Sequence, residues 1–222
     1  YHIQPEMQNI MSTLKKKNAG QDIDSVLKQK EVLNMLNTKY IIYNKQAAPI
    51  QNPYKLGNAW FVNDYRLVPD AEGEINALDG FKPSQTAIID KDFARYVEGK
   101  NFQKDTSGKI TLTHYGPKHL KYDYQASSEQ LVVFSDVYYP KGWHLYIDGE
   151  PADMFRANYI LRAAVIPAGE YTVEMKFEPR SYYTGTTISN YSSWILMILL
   201  LLWLGYEIRN QLLTGPKNNY EE

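Results

Sequence analysis

Tyr171-Thr172-Val173-Glu174-Met175-Lys176-Phe177-Glu178 is the stretch on which the reading of this chain turns. Tyr171, Val173, Met175 and Phe177 fall on one side of a two-residue period, and Thr172, Glu174, Lys176 and Glu178 on the other. Strict alternation is the mark of a strand with one face in a core and one in water. Toward the C-terminus only Pro179 and Arg180 follow before the chain changes character. From Ser181 to Tyr206 there is no charged side chain, and Trp194-Ile-Leu-Met-Ile-Leu-Leu-Leu-Leu-Trp203-Leu204 is apolar throughout. A spanning helix needs ~20 mostly apolar residues, because each adds ~1.5 Å across a ~30 Å hydrocarbon layer. The strict run is too short alone, but counting back through Ser193, Ser192, Asn190 and Ser189 to Ile188 makes it long enough. It shows no polar face, unlike a surface helix. Residues 185–208 are therefore expected to cross a membrane, with Trp194, Trp203 and Tyr206 as the aromatics suited to its interfaces. Its place at the C-terminal end of the sequence sets it apart from a signal peptide.

Working toward the N-terminus, hairpins with clear turn chemistry precede the alternating strand. Trp143 to Ile147 meets Asp148-Gly149, a pair that tolerates the positive φ angles of a type I′ turn. Tyr159 to Ile166 meets Pro167-Ala168-Gly169 and returns through Tyr171. Leu131-Val132-Val133-Phe134 is a continuous apolar run, as a strand buried on both faces would be. Ile110 and Leu112 alternate with Thr111 and Thr113. Several short strands at ~8–12-residue spacing predict an antiparallel, jelly-roll-like β-sandwich over 109–180, entered through a polar linker at 101–108. Residues 1–100 read as α+β: a helix over 5–17, a second from Asp24 to Asn37, a short strand Lys39–Tyr43 and a loop over 44–58. Strands at 59–62, 65–68 and 87–90 follow, with a short helix from Asp70 to Leu78 capped by Asp70. Residues 209–222 are left as a tail, expected to be cytoplasmic.

Composition bounds the chemistry. With 222 residues, 22% charged and a net charge of −1, the chain has no basic excess and nothing that calls for nucleic acid. Its mean hydropathy of −0.47 belongs to a water-facing domain in spite of the apolar helix. There is no cysteine, which excludes disulfides, thiolate metal sites and cysteine nucleophiles. The sequence opens on Tyr1 rather than Met, so a fragment or a processed product is expected.

No catalytic signature, cofactor motif or metal-ligand motif is found. His2, His114, His119 and His144 are scattered, and none pairs at helical i, i+4 spacing with a glutamate. His114 and His119 straddle Gly116-Pro117, a spacing open to a shared metal, though this is not the favoured reading. Ser107-Gly108-Lys109 lacks the earlier glycine of a phosphate loop, position 103 being Gln103. Asp22-Ile23-Asp24 matches the D-x-D of metal-dependent glycosyltransferases, yet it opens an amphipathic helix where aspartates serve the helix N-terminus. The candidates for a binding role are Tyr138, Tyr139 and Trp143 around Pro140-Lys141-Gly142. Flat aromatic faces beside polar donors suit a sugar ring. The alternative is that Trp143 plugs the sandwich core, as a strand-borne Trp commonly does.

The succession Leu131-Val-Val-Phe-Ser-Asp-Val-Tyr-Tyr-Pro140, Gly142-Trp143, Tyr146-Ile-Asp-Gly149, Arg156-Ala-Asn-Tyr159, Leu161-Arg-Ala163, Pro167-Ala-Gly169 and Thr172-Val-Glu174 through Pro179 resembles the C-terminal end of YfhO-type bacterial membrane proteins. Val32 to Ile41 and Gly57 to Val62 are similar to the same family, especially its Bacteroidota members. The resemblance implies a multi-pass parent with many N-terminal membrane helices, akin to glycosyltransferases that use polyprenyl-phosphate sugars and glycosylate cell-envelope polymers. It implies an inner-membrane location with the main domain extracytoplasmic. It implies as partners the bilayer, the N-terminal membrane helices of the parent, and a cell-envelope glycan or polyprenyl-phosphate sugar. In such enzymes the acidic catalytic residue lies near the N-terminus, in a region with no counterpart here, so the resemblance carries no catalytic residue onto this chain. Lys176 and Arg180 before the helix balance Arg209 and Lys217 after it, so charge alone does not orient it. The expectation is an accessory domain and anchor that helps hold the glycan acceptor; the alternative is a purely structural or protein-interaction sandwich.

Overall fold

The computed structural model describes residues 3–14, 19–42, 44–213 and 215. It falls into two compact units, Tyr1–Glu178 and Pro179–Glu222.

The first unit opens with α1 (Ile3–Leu14), α2 (Ala19–Lys28) and α3 (Glu31–Met35). Ile10, Leu27, Leu33 and Ile41 close a small core between them. Lys15 to Lys17, expected as the end of the first helix, lie outside the described residues. The single helix expected from Asp24 to Asn37 is two, because the backbone leaves helical geometry at Lys30 (φ −95°, ψ 68°). Buried Asn34 explains the break: its Nδ2 donates to the Leu27 carbonyl at 3.2 Å, satisfying one of the acceptors that a helix end leaves open. Its Oδ1 accepts from Asn52 Nδ2 at 2.9 Å. Helix α2 also starts five residues before Asp24, so Asp22 sits in its first turn and Asp24 beyond it, where it accepts from the Tyr54 hydroxyl at 2.7 Å.

Next come β1 (Tyr40–Ile41) and β2 (Ile50–Gln51), an antiparallel pair whose second strand lies in the expected loop. Strand β3 (Ala59–Val62) is followed by β4 (Asp64–Val68), α4 (Ala71–Asn76) and β5 (Thr86–Asp90). Strands β4 and β5 pair in parallel, with α4 in the crossover. Asp70 caps α4 as expected, its Oδ1 accepting from Gly73 N at 2.8 Å. A 3₁₀ turn over Lys91–Tyr96 ends this part.

The remaining strands are β6 (Lys109–Gly116), β7 (His119–Ala126), β8 (Gln130–Val137), β9 (Trp143–Ile147), β10 (Glu150–Ala152), β11 (Phe155–Ala157), β12 (Leu161–Ile166) and β13 (Gly169–Phe177). They form a five-stranded sheet, β10-β9-β13-β7-β6, and a four-stranded sheet, β11-β12-β8-β3, both antiparallel. Tyr122, Phe134, Leu145, Ile166, Val173 and Met175 fill the space between the sheets. The other face of the four-stranded sheet is covered too: Leu131, Val133, Phe155 and Leu161 share a second core with Val32, Met35, Ile88 and Ile89. Burial on both faces is why Leu131–Phe134 carries no polar alternation. Each such side chain contributes ~1.5–3 kcal/mol on leaving water.

Phe102, in the 101–108 stretch, is buried in that second core, and Asp105 binds the stretch to the β7–β8 turn by accepting from Ser127 Oγ at 2.8 Å. Asp148 and Gly149 take φ of 50° and 88°, as a type I′ turn requires. Asn158 and Tyr159 do the same between β11 and β12, at 50° and 73°.

The second unit holds one described helix, α5 (Arg180–Leu213), 34 residues and therefore ~51 Å long. None of its side chains is buried, and it is the one described helix long and apolar enough to cross a membrane.

Candidate functional site

The end of β8 builds the candidate site. Past Val137 the chain is tied down by backbone bonds: Tyr138 N donates to Ile160 O at 2.7 Å and Trp143 N to Tyr139 O at 3.3 Å. The Gly142 carbonyl accepts from Glu178 N at 2.6 Å. Gly142 is demanded by close approach, since a Cβ there would collide with the Phe177 ring. The loop so held forms one wall of a cleft of about 230 Å³, with Tyr138, Pro140, Trp143, Tyr146, Asp153 and Met154 among its lining.

Tyr138 and Trp143 are thus brought together, while Tyr139 is not part of the cleft lining. Tyr138 is half-buried, its ring edge-on to Phe93 at 5.8 Å, and burial raises its phenol pKa. Tyr139 is 48% exposed, its ring 6.5 Å from that of Phe177. Trp143 packs against the Phe177 ring at 5.4 Å and carries the Arg162 guanidinium 4.2 Å from its ring centre. Cation–π contacts of this kind gain strength when water is excluded. Arg162 is itself buried; its Nε donates to the Val137 carbonyl at 2.9 Å. Burial lowers its pKa and raises that of neighbouring Asp136, each opposed by the other's charge. The Tyr122 hydroxyl donates to Asp136 Oδ2 at 3.4 Å, closing the network. Nothing in the sequence singled out Arg162, which reads as an ordinary outward-facing strand residue until its two sheets are packed together.

Chemically the cleft offers aromatic and apolar walls, two phenols, the Asp153 carboxylate and the His144 imidazole. That set suits binding; its lining holds no serine, threonine or lysine for a base to activate. Among the described residues no group of three His, Asp or Glu side chains is placed to hold a metal. The His114 and His119 rings do approach, to 5.3 Å, but His119 Nε2 lies 2.8 Å from Glu174 Oε1. His2 lies outside the described residues.

Two further features escaped the sequence reading. A shallow groove of about 520 Å³ runs over the outer face of the five-stranded sheet, lined by Thr111, Asp123, Gln125, Asp148, Glu170 and Thr172. Only strand register assembles it, through Thr172 opposite Asp123 and Glu170 opposite Gln125. The second is a buried ionic cluster: one Arg156 nitrogen reaches Glu74 at 2.8 Å and Asp90 at 3.0 Å. Glu74 also accepts from Tyr159 N at 3.2 Å, and Asn158 Oδ1 accepts from Ile88 N at 2.8 Å. These contacts bolt the β11–β12 turn to β5 and α4. Glu74 is raised in pKa, chiefly by burial and against the pull of Arg156.

Trp194, Trp203 and Tyr206 project from α5, 63%, 58% and 58% exposed.

Residues 85–189 match the family model of the bacterial membrane protein YfhO. No curated protein and no solved structure matches the chain. The YfhO match covers just under half of the sequence, from β5 to the first turns of α5. It takes in the cleft, the Arg156–Tyr159 turn and the whole five-stranded sheet. The match over residues 85–189 and the apolar helix α5 together fit a membrane-anchored domain similar to YfhO.

Proposed function

We propose that this chain is the extracytoplasmic accessory domain and membrane anchor of a multi-pass inner-membrane protein that transfers glycosyl groups to cell-envelope polymers. In this reading the Tyr138–Trp143 cleft holds the glycan acceptor, and the chemistry belongs to the parent's N-terminal membrane helices. The observation that carries it is the convergence of Tyr138 and Trp143 with Tyr146 and Asp153 on one concave surface. Aromatic walls with a few polar groups are how proteins grip sugar rings. The YfhO match supplies the membrane context.

The test is titration of the full chain in nanodiscs with cell-envelope glycan fragments and polyprenyl-phosphate sugars, following tryptophan fluorescence. Saturable binding weakened about tenfold or more by Tyr138→Ala is expected, since one lost hot-spot aromatic costs at least ~1.4 kcal/mol. Tyr139→Ala, off the cleft, should weaken it less. A folded chain that binds none of these ligands would sink the reading.

A structural role is favoured by one observation: the Trp143 ring is already engaged by Arg162 and Phe177. In that case the same titration gives no response, and Trp143→Ala lowers stability alone.

A further inference from the structure

We propose that the groove over the outer face of the five-stranded sheet is a second binding site, and that its ligand is a saccharide free of acidic groups. Asp123 accepts hydrogen bonds from neighbouring sugar hydroxyls there, with the Tyr171 ring as an apolar platform beside it. The groove shares no lining residue with the Tyr138–Trp143 cleft, and the proposal does not depend on the acceptor-holding role.

Strand register lays out the floor. Asp123 on β7 stands opposite Thr111 on β6 and opposite Thr172 on β13. Gln125, two residues on, stands opposite Lys109 and Glu170. With strands ~4.8 Å apart and ~6.8 Å between successive residues on one face, these six side chains cover roughly 10 Å by 7 Å. The groove above them measures about 520 Å³, within the range of small-ligand sites.

Its polar groups are only partly used. Asp148 Oδ1 accepts from Thr172 N at 2.7 Å, and Glu170 Oε1 accepts from Gln125 Nε2 at 2.8 Å, which holds both carboxylates at the rim. Asp123, in the middle of the floor, makes no hydrogen bond or ion pair among the described residues. The same sheet face beyond the groove is different: there Glu174 meets His119 at 2.8 Å and Lys176 at 3.1 Å.

Tyr171 supplies the apolar part, and several contacts fix its place. Gly169 takes φ of 143°, and a Cβ there would come within 2.7 Å of the Tyr171 ring, so glycine is what leaves room for the ring beside the chain. The ring stacks on that of buried Tyr124, their centres 6.1 Å apart and their planes 25° from parallel. Its hydroxyl donates to the Ala168 carbonyl at 3.0 Å. The half-buried ring is thereby held with part of its surface in the groove.

The lining decides among ligand classes. Asp123, Asp148 and Glu170 against Lys109 leave a negative balance, which disfavours phosphates, acidic sugars and nucleic acid. Among the described residues no three carboxylates converge on a metal position. Strands β7 and β13 are paired on both sides within the sheet, so the floor offers no edge to which an extended peptide could add. What remains is hydroxyls, an amide, a free carboxylate and an aromatic ring. Such groups give and accept hydrogen bonds around a polyhydroxylated ring, while its C–H face rests on the phenol.

The test is titration of the full chain in nanodiscs with methyl glycosides and disaccharides of glucose, galactose, mannose and N-acetylglucosamine, followed by saturation-transfer NMR. At least one should bind saturably. Asp123→Ala should weaken that binding roughly tenfold or more, as loss of hydrogen bonds to a charged acceptor implies. Asp123→Asn, which still accepts, should restore part of it. Asp123 is exposed and outside the core, so both variants should stay folded, as near-UV circular dichroism will show. Failure of every sugar to bind would overturn the proposal, and so would an affinity that survives Asp123→Ala. A sugar that survives Asp123→Ala but is lost in Tyr138→Ala sits in the cleft; the acceptor-holding role then stands while this site falls. A response to calcium chloride and to no sugar would make Asp123 part of a cation site and would equally overturn the proposal.

Discussion

Glu74 has no exposed side-chain surface, and its carboxylate meets Arg156 at 2.8 Å. A buried pair of this kind returns little when whole but is costly when broken, because one charge is then left without its partner. Arg156→Ala should therefore destabilise the first unit by ~3–5 kcal/mol, read from denaturant unfolding of the full chain in detergent by near-UV circular dichroism. Stability should also respond to pH at Glu74. Burial raises its pKa above the ordinary 4.5, so the folded state holds the proton more tightly than the unfolded chain does. That contribution is fully present below pH 4.5 and is lost as pH climbs through the folded-state value. Compared with Glu74→Gln, which cannot ionise, the native chain should lose stability as pH rises above 4.5; parallel profiles would refute this. Neither Glu74 nor Arg156 was legible as a pair. They are joined across a fold, and a lone glutamate in a short helix reads as solvated.

At the scale of elements, the β8–β9 loop shows how much a single backbone position can decide. A side chain at Gly142 would run into the Phe177 ring, which is packed on Trp143. Gly142→Ala should cost ~1–3 kcal/mol by overpacking and shift tryptophan emission, a sign that the cleft wall has moved. Gly185→Ala in α5, with nothing near its Cβ, is the control that should leave melting unchanged or slightly higher. Element type was readable wherever a local rule was strong: the alternation of β13, the Asp148-Gly149 turn and the Asp70 cap all stand where the residues put them. The break between α2 and α3 was not readable. It depends on Asn34, whose partner Asn52 lies 18 residues on, and helical periodicity carries no trace of such a bond. Strand β2 was hidden for a related reason, two residues of pairing being too short to imprint a period.

For the whole molecule, α5 is the described helix long and apolar enough to attach it to a membrane. An arginine at its apolar centre is penalised by ~2.5–3.5 kcal/mol on insertion. Leu199→Arg should accordingly release a measurable share of the chain from membranes under alkaline extraction, while Ile208→Arg, at the end of the span, should not. Retention of both variants alike would argue against a spanning helix.

What the amino-acid order determined by itself were the local and additive properties. These are a strand-rich body, one uncharged apolar stretch from Ser181 to Tyr206, the turn positions and the aromatic composition of the β8–β9 loop. Each follows from the hydrophobicity or conformational preference of residues close together in the chain. Only the tertiary structure decided that β3 enters the sandwich beside β8, joining Trp60 to Val133 across the 101–108 stretch. It also decided that Arg162 lies under Trp143 and that Tyr138 enters the cleft while Tyr139 stays off its lining. The physical reason is common to all of these. Pairing between distant strands is selected by the simultaneous burial of two sheet faces and by register, and neither quantity exists until the chain has closed on itself.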